Sequence, residues 1–416
     1  MRHSKKLRDT RIWEIYSQKV LDEDQGYSRL GWVEEVFEVS TNYLSLVRDT
    51  FPNYTLHNER HVLNVIDIMG GLLGDQISNL TCAEAELLIL VACFHDIGMV
   101  YDKDEQKYHF SNTNKFDHFL QQRYPEQYGS TYDELSDDIR RDYLRMLHPF
   151  RIAEVLHKND WKVYFTGAKK RLALEHIIVV GQAHGEDWGK TSAWASLTCQ
   201  EDDDVDLLFC AMLLRIADIL DFDDTRSPQI LYKYVTSNKV STCEWQKHMN
   251  SLGFAFPEKP SMNSLNYKAV CSDPNIEYAL RKFLDWIDDE LLTCISLQRN
   301  CGKVWQRNFM FPRSVRRDKI ISDGYESGDF RLTMDQERIL ELLIGENLYE
   351  KQTVFIRELL QNAVDATLLR SEIDSSFDPE SDDARIDIWE WYDESGKLWY
   401  RIDDRGTGMT QGMIER

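Results

Sequence analysis

Residues 83–98 read Ala83-Glu84-Ala85-Glu86-Leu87-Leu88-Ile89-Leu90-Val91-Ala92-Cys93-Phe94-His95-Asp96-Ile97-Gly98. From Leu87 to Phe94 every position is apolar. A helix built from such a run has no solvent face and belongs at the centre of a helical domain. It closes on the doublet His95-Asp96, with Gly98 just beyond as a stop signal. An imidazole and a carboxylate at the end of a buried helix are costly unless a cation or a hydrogen-bond partner satisfies them. Matching residue types lie on both sides. Upstream stands His57-Asn58-Glu59-Arg60-His61, and downstream Asp218 sits within Leu213-Leu214-Arg215-Ile216-Ala217-Asp218-Ile219-Leu220. Imidazoles and carboxylates converging from separate helices suit hard, hydrolytic metal centres, which points to phosphoester cleavage.

A chain of 416 residues has room for roughly two or three domains. Its hydrophobic content, 42%, is ample for packed cores and argues against wholesale disorder. Lys and Arg total 49 against 71 Asp and Glu, a net −22 that repels polyphosphate backbones and disfavours broad nucleic-acid binding. A small phosphorylated ligand stays compatible if metal ions or local basic groups neutralise it. The eight cysteines form no CxxC pair or tight cluster, so thiolate zinc is not expected. Cys93 reads as a buried small hydrophobe. A reduced cytoplasmic setting fits this usage. The basic start Met1-Arg2-His3-Ser4-Lys5-Lys6 is followed by no apolar signal core, and the longest apolar run, Leu87 to Phe94, is too short to span a bilayer. A soluble protein without membrane contact is expected.

Helical periodicity dominates from Arg11 to about Asp224. The pattern predicts a helix over His61–Met69 ending at Gly70-Gly71, one over Ala83–Phe94, and two more over Arg151–His157 and Lys170–Val180. Tyr101 to Asp142 reads as an elaborated connection with short helices, and acidic Glu201–Asp206 leads into the Asp218 helix. Pro228 to Cys271 turns β-prone at Ile230–Val235 and Leu265–Cys271. Asp273-Pro274 is an N-cap and first-turn pair opening a long amphipathic helix through Trp286 and Leu292. Residues 313–329 mix basic residues with glycines without periodicity and read as a linker. The expected organisation is therefore a mainly α domain over 1–227, a small mixed α/β extension over 228–312, the linker, and a further α+β segment over 330–416.

His57 and His61 are four apart, so a helix would set both imidazoles on one face. Alone, that pair is as readily two ordinary histidines, and a His-Asp doublet occurs by chance. Asp218 carries more, because a carboxylate inside an apolar helix needs a cation or a donor. Its alternative is a buried ion pair with Arg215 or Arg226. His148, in His148-Pro149-Phe150-Arg151, and His184, in Gln182-Ala183-His184-Gly185-Glu186, suit a two-metal site or are surface or capping residues. His109, His118, His157 and His176 read as structural. In this order and on helices, the set over roughly residues 50–225 resembles the HD phosphohydrolase superfamily, whose pattern is His…His-Asp…Asp. The resemblance implies His61, His95, Asp96 and Asp218 around one metal, with Asp96 reaching toward a second. His148 and His184 look like the extra ligands of binuclear members. It also implies a pair of divalent cations (Mn, Mg, Fe, Co or Zn) that clamp phosphate oxygens. The His57-Asn58-x-x-His61 spacing is similar to the first motif of cyclic-nucleotide phosphodiesterases, which casts His57 and Asp96 as catalytic, His57 protonating the leaving oxygen. The Gly-Tyr-Pro signature of cyclic-dinucleotide members is absent after His184, so the substrate stays open among cyclic dinucleotides, dNTPs and mononucleotides.

Near the C-terminus, Phe355-Ile356-Arg357-Glu358-Leu359-Leu360-Gln361-Asn362-Ala363-Val364-Asp365-Ala366 sets Glu358, Asn362 and Asp365 on one helical face. By periodicity this is an ordinary amphipathic helix. Ala384–Tyr392 and Lys397–Ile402 alternate as strands of a hairpin, followed by Asp404-Arg405-Gly406-Thr407-Gly408-Met409. Glycines there let backbone approach a ligand, and a strand-end carboxylate can accept an amino hydrogen bond. Together with Leu343-Ile344-Gly345-Glu346-Asn347-Leu348-Tyr349, both segments resemble the start of a GHKL (Bergerat-type) ATPase domain of the heat-shock-chaperone kind. That resemblance implies Glu358 activating water, Asn362 holding Mg²⁺, Asp365 supporting the site, and Asp404 reading adenine of ATP beside Gly406, Gly408 and Met409. The lid and later glycine box have no counterpart before Arg416, so the expectation is a fragment of a longer polypeptide, the alternative an incomplete ATP site, and weak or absent ATP hydrolysis by this piece in either case.

The leading expectation is a metal-dependent phosphohydrolase acting on a nucleotide or another small phosphoester. It would be gated by the C-terminal ATPase module, with homodimerisation through that module and a setting in bacterial antiviral or conflict defence. The alternatives are an ATP-dependent conformational switch or chaperone-like protein whose helical domain is a non-catalytic nucleotide sensor, or a structural scaffold.

Overall fold

The computed structural model describes residues 6–22, 26–52, 54, 57–111, 113–158, 161, 174–186, 188, 204–223, 246–256, 263–325, 354–374, 376–393 and 396–408. The chain divides into two compact units, Met1–Ser327 and Gly328–Arg416.

The first unit begins as a helical bundle. Its helices are α1 (Arg11–Leu21), α2 (Gly26–Leu44), α3 (Val47–Thr50), α4 (Glu59–Leu73), α5 (Cys82–Phe94), α6 (Lys103–Phe110), α7 (Thr113–Arg123), α8 (Asp137–Leu156), α9 (Leu174–Ala183) and α10 (Leu207–Leu220). Every residue of α5 is buried, as its unbroken apolar run requires. Around it pack α1, α2, α4, α9 and α10. Thr81 starts α5 with a reciprocal cap: its hydroxyl accepts from Glu84 N (3.0 Å), and Glu84 accepts from Thr81 N (2.9 Å). Buried Glu86, facing outward from the same helix, is neutralised by Arg29 and accepts from the Tyr16 hydroxyl at 2.8 Å. None of the described helices is long and apolar enough to cross a membrane.

Three boundaries differ from expectation. Helix α4 passes the Gly70-Gly71 pair and stops at Gly74, whose φ of +54° is a backbone conformation that glycine adopts without the strain of a Cβ. The segment Arg151–His157 is the last part of α8, which runs through Pro149 from its cap at Ser136. The expected linker 313–329 instead contains a strand, β3 (Ser314–Ser322). It pairs in parallel with β2 (Ser264–Cys271), which pairs antiparallel with β1 (Ser251–Ala255). The crossover between β2 and β3 carries α11 (Pro274–Leu297) and α12 (Lys303–Asn308). As an edge strand, β3 buries only Val315 fully, so its sequence lacks the apolar alternation of a core strand. It is fastened by polar means, with Val315 N donating to Asp288 at 2.6 Å and Arg317 bridging Asp288 and Asp285.

The extension closes on the bundle through Trp305 of α12. Its ring stacks on Phe209 at 3.9 Å, and its Nε1 donates to Glu84 at 3.0 Å. In the second unit, α13 (Val354–Ile373) accompanies the antiparallel hairpin β4 (Asp387–Tyr392) and β5 (Leu398–Asp403). The strand begins at Asp387, not Ala384, because Asp382–Ala384 form a 3-10 turn. The stretches 230–235 and 343–349 lie outside the described residues.

Candidate metal centre

Five helices of the bundle, or the turns at their ends, deliver the expected ligands to one place. His61 lies in the first turn of α4, fixed by Asn58, whose side chain accepts from Arg60 N (3.1 Å) and His61 N (3.4 Å). His57 precedes that cap and is not on the helix, so the expected shared helical face with His61 is wrong. Tertiary folding still brings it close, with Nε2 3.7 Å from Asp96 Oδ2. His95 caps the end of α5, and Asp96 follows in the turn beyond. His148 comes from α8, His184 from just past α9, and Asp218 from α10.

These residues form two groups, His61 with His95 and Asp218, and Asp96 with His148 and His184. Within each group the candidate ligand atoms lie within 4.8 Å of one another. Asp96 touches both groups. Its Oδ2 is 3.2 Å from His61 Nε2 and 3.3 Å from His95 Nε2, while its Oδ1 is 3.5 Å from His148 Nε2.

The hydrogen bonding shows what the cluster can hold. Each Nδ1 is engaged away from the centre: His61 with Asp221 (2.6 Å), His95 with Ala92 O (3.0 Å), His148 with Arg145 O (2.5 Å) and His184 with Gly181 O (2.5 Å). These acceptors place the imidazole protons on Nδ1 and turn the Nε2 lone pairs inward. His61 and His95 meet Nε2 to Nε2 at 3.0 Å, and so do His148 and His184. Opposed lone pairs repel unless a cation, or a proton carried by one of the two nitrogens, lies between them. Asp96 Oδ2 is buried and has no hydrogen bond of normal geometry. The donor set, nitrogen and carboxylate oxygen with Nδ1 held by outer partners, fits divalent metal ions.

The electrostatics agree. Burial opposes charge on His95, but Asp96 and Asp218 overcome it and hold its pKa well above the usual value. Burial likewise opposes charge on Asp96, yet His95 and His57 keep it well below the carboxylate range. Asp218 is also depressed, chiefly by His95 against its own burial. In the other group, burial and neighbouring positive groups push His184 down to about 4, and burial lowers His148. Those two imidazoles are therefore neutral at pH 7 and free to coordinate.

Close backbone approaches set the spacing. A Cβ on Gly98 would fall 2.0 Å from His148 O, and one on Gly185 would fall 2.2 Å from Pro149 Cγ. Arg151, buried on α8, donates to Gly98 O and Val100 O at 2.5 and 2.8 Å, clamping the turn after Asp96. Arg215 pairs with Glu290 and not with Asp218, which removes one alternative reading of that aspartate; Arg226 lies outside the described residues. Asp221, which sequence reasoning missed, holds His61 and accepts from Asn64 Nδ2 at 2.8 Å. Its signal was the spacing Asp218-Ile219-Leu220-Asp221, one turn beyond a candidate ligand.

In the second unit, Glu358, Asn362, Asp365 and Asp404 are exposed. Thr407 N donates to Ala366 O at 3.3 Å, and Gly406 lies so close to Ala366 that a Cβ would fall 2.5 Å from it. Gly408 has φ +67°. Met409 lies outside the described residues.

No curated protein and no solved structure matches this chain. Residues 51–293 match the HD-CE family, a span that holds all six clustered histidines and aspartates and most of the sheet-bearing extension. With more than half of its length inside that match, and with the histidine and aspartate order of an HD-type centre within it, the chain belongs to the HD-CE family.

Proposed function

We propose that the protein is a metal-dependent phosphohydrolase that cleaves a nucleotide or another small phosphoester. The observation that carries this reading is the inward convergence of four Nε2 atoms and two carboxylates, with each Nδ1 anchored outside the cluster. His61, His95 and Asp218 would hold one divalent cation, and Asp96, His148 and His184 a second, with Asp96 near both. When bound, such ions neutralise phosphate oxygens and supply hydroxide at neutral pH. His57, whose Nε2 lies beside Asp96 and is partly open to solvent, would give its proton to a leaving oxygen. The chain's net charge of −22 disfavours polyanionic substrates and leaves a small phosphate ester as the fitting class. The test is a nucleotide panel with Mn²⁺, Mg²⁺ or Co²⁺. Metal-dependent product release, lost in Asp96→Ala, is expected. Tight nucleotide binding by the wild type without turnover would replace the enzyme by a sensor.

We further propose that the second unit binds ATP with Mg²⁺ and regulates the hydrolase. The contact of Gly406 and Thr407 with Ala366 supports this, because it holds the Asp404–Gly408 segment against the helix that carries Glu358, Asn362 and Asp365. A fluorescent ATP analogue should bind the wild type and not Asp404→Asn. No binding to the wild type would end this reading.

A further inference from the structure

We infer that Glu290, on α11 of the extension, is a positioning residue for the His148–His184 half of the metal centre and acts through Arg215. This rests on the metal-centre reading above. His184 is the first residue beyond α9, where the last helical carbonyls lack intrahelical partners. Arg215 holds the turn that follows: its Nη1 donates to His184 O at 3.0 Å and to Glu186 O at 2.5 Å. A guanidinium at a helix C-terminus also opposes the negative end of the helix dipole. Arg215 lies on α10 three residues before Asp218, so one side chain ties the His184 turn to the helix that bears the other group's carboxylate.

A long arginine does this reliably only if its head is held. Glu290 holds it with two parallel bonds, from Nε to Oε2 at 2.7 Å and from Nη2 to Oε1 at 3.0 Å. Trp188 Nε1 donates to the same Oε2 at 2.7 Å, and its ring lies 4.5 Å from the guanidinium. The pair is nearly dry, with side-chain exposures of 10% and 5%. His184 is thus fixed twice, its ring by Gly181 O and its backbone by the Arg215–Glu290 fork. The His61–His95 half has different outer partners, Asp221 and Ala92. Loosening Glu290 therefore acts on one half of the centre and spares the other. The helix that carries Glu290 spans the crossover between β2 and β3, so the extension is coupled to the metal centre by charge and is more than a packing surface for the bundle.

The experiment titrates Mn²⁺ into the full chain and follows the spin coupling of a manganese pair by electron paramagnetic resonance. Wild type should take up two ions and show a coupled pair. Glu290→Gln should weaken the second ion by about 10- to 100-fold, the usual effect of removing an outer partner. The first ion should stay near its wild-type affinity, and the coupled signal should give way to a mononuclear one. Trp188→Phe, which leaves the buried ion pair intact, should shift the second ion in the same direction by less, and it serves if Glu290→Gln does not fold. Variants that bind both ions as wild type does, or folded variants that lose both ions together, overturn the inference. A wild type that binds no Mn²⁺ overturns the metal-centre reading itself, so the two failures are distinguishable.

Discussion

At the residue scale, the decisive side chains are those that hold other side chains. Asp221 fixes the proton of His61, Arg151 fixes the turn after Asp96, and Arg215 fixes the turn after His184. Arg151 in turn faces Glu105, 3.1 Å away, which also binds Lys158. Burial works against charge on Glu105, but the Lys158 ammonium and the Asp102 N–H hold its pKa below the usual value. A depressed carboxyl pKa contributes stability above its unfolded value, about 4.3, and that contribution drains away as pH falls through the folded value. Solvent screening keeps the effect modest. Denaturant unfolding of wild type and Glu105→Gln should therefore differ at neutral pH, and the gap should close as pH falls through the carboxylate range. A gap that stays constant through that range would refute the assignment.

At the element scale, α5 was legible almost residue by residue, because a helix without a solvent face is written into an unbroken apolar run. The strand β3 was not, since an edge strand held by Asp285 and Asp288 carries no apolar alternation to read. His57 shows the limit of spacing: four residues from His61, it lies across a cap that ends helical geometry, and only packing returns it to Asp96. The turn after Asp96 packs closely against α8. Gly98→Ala would drive a methyl group into His148 O. The backbone on both sides carries candidate ligands, Asp96 and His148, and cannot yield without moving them. A loss of roughly 1–3 kcal/mol in denaturant unfolding is expected, together with weakened metal binding. Unchanged stability would mean that the two segments part more easily than their contact suggests.

At the scale of the molecule, the extension belongs to the same compact unit as the bundle. Trp305 is its anchor, buried against Phe209 and bonded to the capping residue of α5. Trp305→Ala should cost about 3–5 kcal/mol and lower the melting of bundle and extension together. Separate transitions, with the bundle unaffected, would show that the extension folds independently. The sequence by itself determined the central helix, the residue types of the centre and their order, because periodicity and ligand chemistry are local properties. Only the tertiary structure decided the partners. His61 takes Asp221 from 160 residues away, and Arg215 takes Glu290 from 75 residues away in preference to the nearby Asp218. Such pairings are fixed by which surfaces can be buried together, and that is a property of the packed chain and not of any stretch of it.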